Sequence, residues 1–399
     1  MSLSNGRPYV AIPGPSVMPD RVLQAMHRGA PNIYSDELLT LTIGLIRDLK
    51  VVAGTAHHAA IYISNGHGVW EAALRNILSP GDKVLVPTVG MFGKGWATMA
   101  QSLGIEVELM EFPRLQPMDM SQIKARLAED SSHEIKAVLV THVDTSSSIK
   151  TDPRDLRAAL DEVGHPALLG VDCIASLGCD RFEMDAWGVD LMVAASQKGL
   201  MTPPGMGFVF FNDKTAAKRE EIGVVSAYWD WKPRIDPQIF YQYYGGTAPT
   251  HHLYGLREAL DMMLEEGLEN VWHRHEILAR TIWAAVDAWS VGGPLSLNVA
   301  NPEDRSFAVT AAHLGAPAAL DLRVWMEEKT GVTLGIGLGM ATNEDPKGEG
   351  YFRFGHMGHV NAHMVLGMLG TFEAGMIALG IPHGAGGLSA AAKVVAEGA

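Results

Sequence analysis

Four short segments of this 399-residue chain carry residue types that could do chemistry. Ser64-Asn65-Gly66-His67-Gly68 follows the apolar run Ile61-Tyr62-Ile63. Glycines let backbone N–H groups approach an anion closely, and a helix starting there adds positive partial charge, so this loop could cradle a phosphate. Asp172 closes the run Leu168-Leu169-Gly170-Val171. A carboxylate at the end of a buried strand is costly to desolvate unless a cation faces it, and a pyridinium N–H is such a cation. Ala195-Ser196-Gln197-Lys198-Gly199-Leu200 follows Leu191-Met192-Val193-Ala194. Desolvation or a neighbouring cation lowers an amine's pKa and frees a nucleophile, which suits Lys198 to imine formation. Arg353 lies in Tyr351-Phe352-Arg353-Phe354-Gly355, and its planar fork suits bidentate binding of a carboxylate, a ligand's or a structural Asp's or Glu's. Each segment alone also has a plain structural reading: a strand-to-helix turn, a capping Asp, a surface Lys, an ion pair.

The elements that must position these residues follow from the pattern. Through the first 215 residues, short continuous apolar runs alternate with helical stretches such as His67 to Leu78 and Gly95 to Leu103. That alternation predicts βαβ units and a sheet covered on both faces, with ligands beyond the carboxyl ends of the strands. The segment from Asp172 to Lys198 is expected to bracket one helix and one strand, which places both side chains at one sheet edge. From Tyr254 the pattern changes. Helices fit Gly255 to Glu266 and Leu268 to Trp289, the second with Val271, Leu278, Ile282, Val286 and Trp289 on one face. A strand near Ser306 to Thr310, a helix near Pro317 to Lys329, strands near Thr333 and Phe352, and a helix near Val360 to Leu379 complete a small α+β unit. The expected division is an N-terminal arm over 1–20, a large domain over 21–255, a small C-terminal domain over 256–383 and a flexible Gly- and Ala-rich tail over 384–399.

Composition limits the rest. With 47% hydrophobic and 19% charged residues the chain can bury an ordinary core. A formal charge of −14 argues against nucleic-acid and anionic-membrane partners. Two cysteines, Cys173 and Cys179, are too few for a disulfide framework. Met1-Ser2-Leu3 is not the start of a signal peptide, and no stretch reaches the roughly 18 apolar residues of a membrane span. A cytoplasmic location is expected.

One cofactor, pyridoxal phosphate, needs a phosphate cradle, a carboxylate and an imine-forming lysine together. The chain also resembles the class V, fold-type I aminotransferases, and within them the alanine–glyoxylate and serine–glyoxylate (serine–pyruvate) group. The resemblance runs from Ile12-Pro13-Gly14-Pro15 to about Ile381. It rests on Gly66-His67 with Trp70-Glu71-Ala72-Ala73-Leu74, on Leu78-Ser79-Pro80-Gly81-Asp82, and on Val171-Asp172 with Ala175-Ser176-Leu177-Gly178. Ser196-Gln197-Lys198-Gly199 with Pro203-Pro204-Gly205, Tyr254 to Leu260, Glu266 to Asn270 and Phe352-Arg353-Phe354-Gly355 extend it.

The resemblance implies a large domain with a mostly parallel seven-stranded sheet between helices, plus the small C-terminal domain. It implies that Lys198 holds the cofactor as a Schiff base and carries the proton, and that Asp172 pairs with the pyridinium nitrogen. Phe92 would stack on the ring, and Thr145 would bond its phenolic oxygen. Asn65, Gly66, His67 and Gln197 would lie at the phosphate, and Arg353 would clamp the substrate carboxylate. Tyr244 and Thr247 would reach the cofactor of a neighbouring subunit, which implies a homodimer with shared sites. The substrates implied are small amino acids and keto acids, with glyoxylate or pyruvate as acceptor.

Some positions depart from the family pattern. Asn65 stands where Ser or Thr is usual, Asp144-Thr145-Ser146-Ser147-Ser148 lacks the usual closing Gly, and Asn32-Ile33-Tyr34-Ser35-Asp36 replaces a His-Arg-Ser-type stretch. These leave open the amino donor, for which serine, alanine, aspartate and ureidoglycine all suit related enzymes. Tyr228-Trp229-Asp230-Trp231 with Tyr241, Tyr243 and Tyr244 reads equally as a site wall or as dimer packing. His142 reads as a structural histidine or a neighbour of the ring. A lyase or cysteine desulfurase needs a mobile nucleophilic Cys, and neither cysteine is placed for that. A non-enzymatic cofactor-binding protein is the remaining alternative.

Overall fold

The computed structural model describes residues 3–399, so the first two residues of the expected N-terminal arm lie outside it. In chain order the strands are β1 (Tyr9–Ala11), β2 (His58–Tyr62), β3 (Lys83–Thr88), β4 (Glu106–Glu111), β5 (Ile135–Thr141), β6 (Val143–Asp144), β7 (Ile149–Lys150), β8 (Leu168–Asp172), β9 (Leu191–Ala195), β10 (Gly207–Phe211), β11 (Ser296–Leu297), β12 (Val309–His313), β13 (Val332–Ile336) and β14 (Tyr351–Gly355). The helices are α1 (Asp20–Met26), α2 (Asp36–Ala53), α3 (Gly66–Ile77), α4 (Met91–Ser102), α5 (Met120–Glu129), α6 (Pro153–Glu162), α7 (Asp213–Glu221), α8 (Lys232–Ile235), α9 (Thr250–Glu266), α10 (Leu268–Trp289), α11 (Ala318–Thr330), α12 (Ala362–Ala378) and α13 (Gly387–Gly398). No described helix is long and apolar enough to cross a membrane.

Seven strands form the large sheet in the order β2-β10-β9-β8-β5-β3-β4. Only β10 runs against the others. β8, β9 and β10 are buried along their whole length, as strands packed on both faces must be. Separate apolar clusters line the two faces, one with Val138, Val171 and Phe210, the other with Val84, Leu139 and Val193. Alternate residues of the same strands therefore feed opposite cores. Register fixes the site: Thr141 pairs with Asp172, and Asp172 with Val193. The ends of β2, β3, β5, β8 and β9 thus share one edge.

The second sheet runs β1-β13-β14-β12-β11 and packs on a third core that includes Trp289, Phe352, Phe354 and Phe372. β1 joins it in parallel with β13. The arm is therefore tied to the C-terminal unit, although its sequence shows no alternation long enough to announce a strand.

Two expectations are corrected. No helix lies between β8 and β9; residues 173–190 are turns. Their N–H groups close separate short turns, such as Leu177 to the Cys173 carbonyl and Val189 to that of Met184, and between these turns Met184 and Asp185 donate to the carbonyls of Ala53 and Gly54 at the end of α2. Residues 387–398, expected as part of a flexible tail, form α13, which packs on α10. Alanine-rich sequence has high helix propensity, and Ala391 is fully buried, so tertiary contact completes what propensity begins.

Candidate active site

The chain turns from β2 into α3 through Ser64 and Asn65. The Asn65 side chain accepts from the Gly68 N–H at 3.2 Å and caps the helix, a role in which Asn is among the best residues. Asn65 therefore serves the loop through its cap. The early N–H groups of α3 remain unbonded within the helix and point to the sheet edge. The Ser64 hydroxyl and the Gln197 side-chain oxygen are buried without a protein partner. Gln197 can present either its oxygen or its NH2. A cradle of N–H groups beside orphaned polar atoms fits an oxygen-rich anion such as a phosphate. At Gly66 a Cβ would meet the Ile174 side-chain end at 2.6 Å, so a larger residue there would have to push that side chain aside.

Asp172, at the end of β8, is 4% exposed. One oxygen accepts from the Ile174 N–H at 2.7 Å and the other from the Trp70 indole at 2.9 Å. Burial pushes its carboxyl up to about 7, against the pull of those two donors and the nearby Lys198. The group thus favours a cation in front of it.

Lys198 follows β9 by three residues. Burial, then the Arg353 charge, lowers its amine to about 8, while Asp172 pulls it upward. The amine donates to the Pro13 carbonyl, and a Cβ on Gly14 would stand 2.4 Å from Nζ. Ser16 Oγ donates to the Lys198 carbonyl at 2.7 Å. The N-terminal arm therefore covers the lysine.

Phe92 lies in the first turn of α4, edge-on to Trp70 with ring centroids 6.5 Å apart. The Asp144 carboxylate accepts from the N–H groups of Phe92 (2.8 Å) and Gly93 (3.3 Å), capping α4 from a distant strand. The next residue, Thr145, is buried, and its carbonyl accepts from Arg353 Nη1 at 2.9 Å. Arg353 Nε donates to the Ile336 carbonyl at 2.7 Å. No carboxylate of the described residues lies within ion-pair distance of Arg353, which removes the structural ion pair as an explanation. Its burial lowers it to about 10, with Asp144 raising it.

Other candidates fall elsewhere. Tyr244 is fully buried and its hydroxyl shares a 2.6 Å hydrogen bond with Thr42 Oγ1. Its hydroxyl lies within its own subunit, whereas nearby Thr247 is exposed. His67 is exposed, its ring 4.7 Å from Trp70. His142 is a structural histidine: it is buried, bonded to Ser176 at 2.9 Å, and held down to about 3 by burial. Within the aromatic stretch Trp231 stacks on Phe211 in the core, whereas Trp229 lies over Gly68 beside the cradle. Both cysteines are buried and unpaired, and burial pushes the Cys179 thiol up to about 12. Sequence reasoning missed Trp70, Asp144 and Pro13 as site residues. Trp70 and Asp144 sit in motifs that had been singled out, but nothing local marks their partners. A cavity of about 620 Å³ between the arm and α12 lies away from this chemistry.

Phosphate cradle, buried carboxylate, amine of lowered pKa and unpaired guanidinium together fit pyridoxal phosphate, and the fold and site define a fold-type I enzyme that uses it. A family model for class V aminotransferases matches residues 47–337. The serine–glyoxylate aminotransferase of Methylorubrum extorquens is 36% identical, over 98% of this chain and 97% of that protein. The L-aspartate–glyoxylate aminotransferase of Paracoccus denitrificans is 35% identical, over 96% and 95%. The solved ureidoglycine–glyoxylate aminotransferase of Bacillus subtilis superimposes with a TM-score of 0.88 over 99% of this chain and 100% of that chain, at 23% identity, and so shares the fold. This chain belongs to the class V aminotransferases and is a pyridoxal-phosphate-dependent transaminase.

Proposed function

We propose that the enzyme moves an amino group from a small L-amino acid, serine or alanine, to glyoxylate or pyruvate in two half-reactions. The observation that carries this reading is Arg353, a buried guanidinium held at two backbone carbonyls and free of any protein carboxylate. One such fork fixes one carboxylate, which suits a monocarboxylic donor. Arg114, whose guanidinium reaches the loop after β13, is occupied by the carbonyls of Gly339 and Ala341. An aspartate or ureidoglycine donor is the second reading, favoured by the relative that acts on aspartate. The buried cysteines speak against a desulfurase.

When bound, pyridoxal phosphate supplies an aldehyde that takes up amines and a ring that accepts the electron pair left at Cα. Asn65, Gly66 and His67 at the start of α3, together with Gln197 after β9, would hold the phosphate. Asp172 would keep the ring nitrogen protonated, since opposed charges in contact favour both charged forms. Phe92 would cover one ring face, and Thr145 would serve the phenolic oxygen. Lys198 would hold the aldehyde, and its amine would take the proton from the donor's Cα and return it as general base and acid. Arg353 would hold the donor's carboxylate on the same side of the site as that amine. The arm over Lys198 excludes water.

A homodimer is part of this proposal. The exposed Thr247 and the exposed apolar residues Leu39, Ile43, Ile239 and Tyr241 support it. So is the division into a large domain over 21–255 and a small one over 256–383, supported by the separate cores, and a cytoplasmic location, supported by two unpaired cysteines.

A spectral titration of the purified enzyme with a panel of amino acids tests the donor. Serine or alanine should convert the yellow cofactor fastest, with glyoxylate or pyruvate restoring it. A faster conversion by aspartate would overturn the monocarboxylate reading. Lys198→Ala should abolish both the yellow chromophore and turnover.

A further inference from the structure

Each oxygen of the buried Asp172 carboxylate receives one hydrogen bond, and only one of the two donors is a side chain: the indole N–H of Trp70, at 2.9 Å. Trp70 is 1% exposed. Its ring stacks on Trp96 with centroids 6.2 Å apart and planes 15° apart, meets Phe92 edge-on, and lies 4.7 Å from the His67 ring. A Cβ on Gly95 would come within 3.2 Å of the indole, so α4 closes the remaining side. One rigid ring therefore touches a phosphate-loop residue, the residue expected on the cofactor's face, and the carboxylate expected at its nitrogen.

We propose that Trp70 is a positioning residue that acts through Asp172: its N–H holds that carboxylate in the charged state and in the orientation needed to keep the cofactor's ring nitrogen protonated. The inference rests on the reading of Asp172 as the partner of that nitrogen. The physics is direct. A hydrogen bond donated to a carboxylate favours its ionised form, and in a dry, low-dielectric site it does so more strongly than in water. Without the indole N–H, the Asp172 oxygen faces apolar surface. The proton shared between carboxylate and ring nitrogen then shifts toward the carboxylate, and two charges that attract become two neutral groups. A leucine or phenylalanine at position 70 would fill the core yet leave this coupling unmade, which separates the positioning role from packing.

The test replaces Trp70 with 3-benzothienylalanine, in which sulfur takes the place of the indole N–H at nearly constant shape, and with Phe. The apoenzyme's dissociation constants are measured for pyridoxal phosphate and for its 1-deaza analogue, which carries C–H in place of the ring nitrogen. Loss of the N–H should weaken pyridoxal phosphate by about tenfold, the scale of one hydrogen bond to a charged group, and the deaza analogue by less than about twofold. In an Asp172→Asn background the substitution should have no further effect on pyridoxal phosphate. Equal weakening of both compounds would assign Trp70 a packing role and overturn the proposal, as would unchanged affinity for both. If the unsubstituted protein bound neither compound, the functional reading itself would fall, and this inference with it.

Discussion

Pro13 and Lys198 meet across most of the large domain: the lysine amine donates to the proline carbonyl. Neighbouring contacts reinforce the join, with Ser16 bonding the Lys198 carbonyl through its hydroxyl and the Gln197 carbonyl through its N–H. The arm that closes the lysine is also a strand of the second sheet, because β1 pairs with β13. Seating of the arm and orientation of the amine are therefore one event.

Gly14→Ala tests this closure. Gly14 has φ +94°, which side chains rarely adopt, and an added Cβ would stand 2.4 to 2.8 Å from the outer atoms of Lys198. The arm must lift or the amine must move. Cofactor loading by the apoenzyme should slow by about 10²-fold, the cost of misplacing a reacting group by an ångström or so. Stopped-flow absorbance reads the rate. Loading at the unsubstituted rate would show that the arm leaves the amine's approach unaffected.

The lowered pKa of Lys198 sets a pH dependence. Burial first, and the Arg353 charge second, bring it to about 8. Below that pH the amine is protonated and not nucleophilic, so the loading rate should rise with pH and level off above about 8. Stability follows the same sign. An unfolded lysine holds its proton to about pH 10.4, so from about pH 8 to that value the unfolded chain binds more protons and the apoenzyme gains stability as pH rises. Arg353→Gln removes the second cause, so the loading midpoint should move upward, while KM for the amino donor rises by about 10²-fold through loss of charge-assisted hydrogen bonds. A midpoint that fell, or a KM that stayed fixed, would contradict the placement of Arg353 beside the amine.

What the sequence revealed and what it hid divide along physical lines. Asp172, Lys198 and the Gly66-His67 turn were legible because each closes a continuous apolar run, and such runs end at the sheet edge where ligands bind. α10 was legible because its apolar residues repeat at helical spacing. Trp70 was hidden because a tryptophan on a buried helix face reads as core, and nothing nearby shows that its N–H meets a carboxylate on β8. Asp144 was hidden because it caps a helix that begins far away in sequence. Tyr244 reads as outward-reaching from its motif, but its hydroxyl finds Thr42 inside the same subunit. Such pairings are decided by tertiary packing, which local patterns do not record.

Asp144 carries its own prediction. Its fully buried carboxylate accepts from the N–H groups of Phe92, Gly93 and Ser146 and from the Ser146 hydroxyl. Asp144→Ala strands these donors, and unsatisfied buried donors make this a loss of about 3 kcal/mol or more. Urea denaturation of the apoenzyme measures it. Asp144→Asn keeps one acceptor oxygen and should lose less. Because the same carboxylate seats Phe92, both variants should also weaken cofactor binding. An Asp144→Ala protein of unchanged stability would mean that the start of α4 has another cap.

Ser148 explains one departure from the family pattern and can be tested by restoring it. It sits at φ +61°, in the left-handed region that the usual closing glycine occupies without strain. The serine has a compensation: its hydroxyl accepts from the Ala311 N–H at 3.1 Å, and its carbonyl accepts from the Ser306 N–H at 3.3 Å. Ala311 lies on β12, so the hydroxyl joins the cofactor-side loop to the second sheet. Ser148→Gly relieves about 1 kcal/mol of backbone strain and gives up a hydrogen bond worth about as much, so stability should change by less than about 1 kcal/mol. Ser148→Val keeps the strain, adds a branched Cβ where the backbone least tolerates one, and leaves the buried Ala311 N–H unpaired. It should cost about 2 to 4 kcal/mol by the same denaturation measurement. A glycine variant as unstable as the valine variant would mean that the bond to Ala311, and not the backbone conformation, decides which residue position 148 accepts.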